Sequence, residues 1–117
     1  GASAFDLKTV MHTMLKLPII TGGNIMKPIH PGRILKREID ARGLSANKLA
    51  LALSVPSGRI TQIINAKRGI SAETALRLSR YFGNSSRFWM NLQTRYDLAK
   101  AELEIGKIVS AEVECPA

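Results

Sequence analysis

The chain is short of cysteine, histidine, aromatic residues and acids, and each shortage removes a class of protein. Cys115 stands alone, so neither an intrachain disulfide framework nor a cysteine-based zinc site is available, and a reducing cytoplasm is the compartment expected for it. His12 and His30 belong to no HExxH or Cys/His cluster, and no GxxxxGKS/T or GxGxxG loop occurs. Catalytic residues, metal ligands and cofactors are accordingly expected to be absent. His30 is expected to cap or pack near a helix start rather than act as a base. No run reaches 18 apolar residues, about the shortest that spans a membrane. Lys8, His12 and Lys16 interrupt the apolar pattern of residues 5–20 and no cleavage signature follows, so no membrane association or secretory signal is expected. Three Phe, two Tyr and one Trp allow a modest core, which suits a helical domain.

The scarcity of acids is local. Residues 27–96 carry thirteen Lys or Arg against three acids, a net of +10, whereas residues 97–117 carry two against five. The basic excess of the middle segment fits a polyanionic partner, although a charged solvated surface explains charge alone equally well. At 117 residues the chain is read as one domain, residues 26–105, with extensions at 1–25 and 106–117.

Along the chain, Leu7, Val10, Met11 and Met14 fall at i, i+3, i+4 and i+7, which predicts a short amphipathic helix over residues 5–17. Pro18, Gly22, Gly23 and Asn24 then mark a linker. Pro31 suits the first turn of a helix whose apolar contacts are Ile34, Leu35 and Ile39 and which Gly43 ends. Ser45 is placed to cap a second helix with the stripe Ala46, Leu49, Ala50 and Leu53. After the joint Ser54-Val55-Pro56-Ser57, Ile60, Ile63 and Ile64 mark the buried side of a third. Stepping about 100° per residue puts Gly58, Thr61, Gln62 and Asn65 on its opposite side. Arg59 flanks that polar face, and Lys67 and Arg68 follow it. Two short helices so close together read as a helix-turn-helix, the second able to enter a DNA major groove with Gln and Asn toward base edges and cations toward phosphates.

Ser71 is expected to cap a fourth helix, in which Ala75, Leu78, Ser79 and Phe82 follow one side with Leu76 beside them, and Gly83 and Asn84 stop it. A fifth opens at Ser85-Ser86. Its residues Trp89, Leu92, Tyr96, Ala99 and Leu103 are spaced 3, 4, 3 and 4, which is either a core-facing stripe or, in its outer half, a dimer seam. Beyond Gly106 the weak alternation around Ile108, Val109 and Val113 reads as a short strand or an acidic tail.

The run RITQIINAKRGISAETALRLSRYFGNSSRFWMNLQTRYDL, residues 59–98, resembles the HigA-type, VapI-like antitoxins of bacterial toxin–antitoxin modules, within the XRE (Cro/cI-type) helix-turn-helix superfamily. KRGISAETALRLSRYFG and FWMNLQ are the specific part, and PGRILKREI at residues 31–39 is similar to the family's first helix. The resemblance implies an all-α, five-helix, lambda-repressor-like domain. It further implies a homodimer that binds operator DNA to repress its own operon and neutralises a cognate small basic toxin, an mRNA interferase of the RelE/HigB kind. By position, Ser57, Gly58, Arg59, Thr61 and Gln62 lie where such repressors reach the major groove, and Asn65, Lys67 and Arg68 where they grip the backbone. Ser54 departs from the family pattern at a turn position where relatives often have Gly, as does Ala66 where Asn-Gly-Lys is common. Residues 1–25 have no counterpart. Two other readings compete: a stand-alone XRE-family transcriptional regulator without a toxin partner, and a protein-interaction module that no longer reads DNA.

Overall fold

A computed structural model describes residues 27–116. The amphipathic stripe expected at residues 5–17 lies outside the described residues. Five helices follow one another: α1 Pro31–Ala41, α2 Ala46–Leu53, α3 Ser57–Ile64, α4 Ala72–Phe82 and α5 Ser86–Glu112. There is no strand among the described residues. None of these helices is long and apolar enough to cross a membrane.

The helix starts follow the capping chemistry of the sequence. Ser45 Oγ accepts from Lys48 N at 3.0 Å, Ser71 Oγ from Thr74 N at 3.3 Å and Ser85 Oγ from Arg87 N at 3.0 Å, each satisfying a donor that a helix start leaves open. At α1 the cap is His30, whose Nδ1 accepts from Gly32 N at 3.0 Å, with Pro31 opening the helix. The His30 ring stands edge-on to Tyr96 of α5, centroids 4.8 Å apart.

Burial lowers the His30 pKa below its ordinary 6.5; Asp97 opposes this and Lys100 adds to it. The cap works only while Nδ1 is unprotonated. A folded-state pKa held below the unfolded one contributes stability above pH 6.5 that is lost as pH falls through the folded value. Melting at pH 7.5 and 5.5 is expected to show that loss in the native chain, and a smaller one in His30→Asn, which keeps a capping oxygen without the titration. An identical pH dependence in both would remove His30 from the account.

Three helix ends share one construction. The chain turns through a left-handed residue, Gly43 at φ 65°, Ser54 at 57° and Ala66 at 60°. The two N–H groups at and after it close back on the helix: Leu44 N to Ile39 O, Val55 N to Ala50 O and Lys67 N to Gln62 O are the longer loops. These are Schellman ends, and only the first has the glycine that the conformation favours. Ser54 and Ala66 each carry a Cβ in a region that costs L-residues about 1–2 kcal/mol, part of which a glycine returns as unfolded-state entropy. Ser54→Gly and Ala66→Gly are each expected to raise unfolding free energy by about 0.5–1 kcal/mol in urea melts; a loss of stability would contradict the strain.

The apolar stripes converge on one core. Leu35, Leu49, Ala50, Ile60, Ile63, Ala75, Leu78, Phe82 and Trp89 are fully buried. Leu76, expected beside the α4 stripe, instead faces solvent. On α5 the stripe holds at Trp89, Leu92 and Ala99, all buried, with Tyr96 half-buried against His30. It fails at Leu103, which is 55% exposed because α5 has by then run past the other helices. The strand or tail expected beyond Gly106 is also corrected: α5 continues through Gly106 to Glu112. One interior glycine costs a helix about 1 kcal/mol, which 27 residues of continuous hydrogen bonding absorb. The boundary drawn at residue 105 therefore falls inside a helix.

Candidate nucleic-acid interface

α3 presents two unlike sides. Ile60 and Ile63 are fully buried, while Ser57, Gly58, Thr61, Gln62 and Asn65 are exposed. The opposition set by the isoleucine spacing is thus realised, and the outward face is polar and uncharged at its centre. Pro56 precedes the helix without a side-chain cap, so no side chain competes for the first N–H groups of α3.

Contacts from three helices fix the position of this face. At α1, Gly32 lets the backbone approach so closely that a Cβ built there would overlap the Ile63 carbonyl oxygen. At α4, Arg59 Nη1 donates to Glu73 Oε1 at 3.0 Å, and Arg77 Nε lies 3.7 Å from the same oxygen. Arg77 Nη1 also donates to Leu53 O at 2.9 Å, satisfying a carbonyl at the end of α2. At α5, Gln93 Oε1 accepts from Ile70 N at 2.7 Å while its Nε2 donates to Asp97 at 2.9 Å. Gly69 leaves room for the Gln93 amide, whose atoms would lie 2.8–3.0 Å from a Cβ. The loop after α3 is therefore tied to the long helix.

The expected contact residues fall into three groups. Ser57, Gly58, Thr61 and Asn65 stand on the exposed face as the spacing predicts. Arg59 is turned toward Glu73, with its side chain 23% exposed, so it anchors α3 to α4 and has only its remaining N–H groups to offer a phosphate. Gln62 and Arg68 are joined: Arg68 Nε donates to Gln62 Oε1 at 2.9 Å. Lys67 is exposed beside them. Gly32 and Gln93 were not singled out by spacing or charge. Gln93 had one signal, as the last residue of FWMNLQ, and its bond to Ile70 N is the physical content of that position.

A family model described as Helix-turn-helix matches residues 35–89. Virulence-associated protein I of Dichelobacter nodosus is 52% identical over 87 residues, which are 74% of this chain and 81% of that protein. An addiction module antidote protein of the HigA family from Coxiella burnetii superposes with a TM-score of 0.75 at 46% identity, covering 78% of this chain and all of the other. The Pseudomonas aeruginosa antitoxin HigA, solved with the higBA promoter, superposes with a TM-score of 0.76 at 44% identity, again over 78% of this chain and all of the other. With helix order, capping and the α3 face in place, these likenesses assign the chain to the HigA-type, VapI-like family of XRE helix-turn-helix proteins.

Proposed function

We propose that the chain is an antitoxin which, as a homodimer, lays α3 in the major groove of its operator, represses its own operon and neutralises a small basic mRNA interferase of the RelE/HigB kind. The observation that carries the DNA reading is the exposed, uncharged polar face of α3, held from three sides and set in a segment of net charge +10. The promoter complex of the Pseudomonas relative supports the same assignment. Ser57, Gly58, Thr61 and Gln62 would then meet base edges, while Asn65, Lys67, Arg68 and the outer N–H groups of Arg59 would meet phosphates.

The dimer is proposed on α5. From Leu98 onward the helix exposes Leu98, Ala101, Ile105 and Ile108, again spaced 3, 4 and 3. Leu103 sits about 140° around the helix from Leu98, on the side that Trp89, Leu92, Tyr96 and Ala99 turn toward the core, and so lies off this second stripe. Two copies paired through it would present two α3 helices, and an inverted repeat with half-sites about 34 Å apart would suit them.

Lys67→Ala is expected to weaken every duplex alike and to reduce the slope of log affinity against log salt by about 0.9 for the lost phosphate contact; an unchanged slope would remove Lys67 from the backbone. The toxin half of the proposal is tested by expressing the gene with its flanking genes and recovering the complex through this chain. A small basic partner whose own expression arrests growth, and which this chain relieves, is the expected result. Recovery of this chain alone, with no such neighbouring gene, would favour a stand-alone regulator.

A further inference from the structure

Gln62 does not present the two halves of its amide equally. The left-handed turn at Ala66 brings the chain back on itself, and Arg68 Nε reaches Gln62 Oε1 at 2.9 Å on the exposed side of the helix end. A glutamine that reads adenine must accept from N6 with its oxygen and donate to N7 with its nitrogen. Here the oxygen is engaged by a cation. Its second lone pair does not restore the adenine pattern, because an approaching N6 amino group would bring its N–H dipoles against the guanidinium. What remains is the Gln62 Nε2 with two N–H groups, beside a guanidinium that carries donors only.

A surface made of donors matches an edge made of acceptors. Guanine offers N7 and O6 together; adenine pairs its N7 with a donor. We infer that Gln62 and Arg68 act as one unit that selects guanine at a position where Gln62 alone would select adenine, which makes Arg68 a specificity-determining residue and not only a phosphate contact. The inference rests on the proposed use of α3 to read DNA.

The test is selection of binding sites from randomised duplexes by the full chain, by Gln62→Ala and by Arg68→Met, followed by titration of the four base variants at the position concerned. Gln62→Ala identifies that position as the one whose preference relaxes. The native chain is expected to favour guanine there over adenine by about tenfold, the scale of one bidentate base contact. Arg68→Met is expected to turn the preference to adenine while other positions keep theirs. A lost phosphate contact would only lower affinity evenly, so it cannot imitate this change. Adenine preferred by the native chain, or guanine retained unchanged in Arg68→Met with native melting behaviour, would overturn the pairing. If the native chain enriched no sequence at all, the DNA-reading role itself would fall instead.

Discussion

Gly32→Ala is expected to destabilise the domain by about 3 kcal/mol or more, at the upper end of the cost of overpacking a core. Helix propensity alone predicts the opposite sign, since Ala is favoured over Gly inside a helix by about 1 kcal/mol. The new Cβ would overlap the Ile63 carbonyl oxygen and come within 2.7 Å of the carbonyl carbon. Those atoms are backbone in α3, so no rotamer change relieves the clash. Either α3 moves or α1 does. At Gly58, also helical, a Cβ would meet nothing within 4 Å, so Gly58→Ala is the control and is expected to match or exceed native stability. Urea melts of the two variants measure the difference. Equal stability would mean that α1 and α3 are not in close contact and that the reading face is less firmly placed than described.

Trp89→Ala is expected to cost about 3–5 kcal/mol, the range for deleting a large buried ring. Against a total stability of about 5–15 kcal/mol that is enough to leave the fold marginal. Trp89 is fully buried between Phe82, with centroids 5.9 Å apart, and Phe88, at 5.1 Å, and its Nε1 donates to Asn84 Oδ1 at 3.1 Å. It thus joins the end of α4, the turn and the start of α5. Trp89→Phe keeps most of the ring and loses the hydrogen bond, so its cost should be the smaller. Native melting of Trp89→Ala combined with loss of dimerisation would move Trp89 from the core to an interface.

What local chemistry encodes was legible in the sequence. Ser45, Ser71 and Ser85 cap where their positions before apolar stripes say they should, and Ile60 and Ile63 face inward because a 3.6-residue period leaves them no other choice. The strained positions Ser54 and Ala66 were visible as departures from glycine, although the helix end at Ala66 keeps the same construction as the one at Gly43. Contacts between elements were not. Nothing within α1 announces that Gly32 must pass the backbone of α3, and Arg59 and Glu73 are 14 residues apart. Gln62 and Arg68 each looked like an independent DNA contact, because side-chain pairing across a turn leaves no mark on periodicity. Leu103 continued a correct spacing beyond the point where there was core to meet, and Gly106 looked like a stop although the helix outlasts it.

Specific binding of operator DNA by the α3 face is decided by one titration. The full chain is titrated at several salt concentrations against the duplex upstream of its own gene and against a random duplex of equal length. A specific complex at least about 10³-fold tighter than the random one is expected, with affinity falling steeply as salt rises. Equal affinity for both duplexes, or none at low salt, would contradict it.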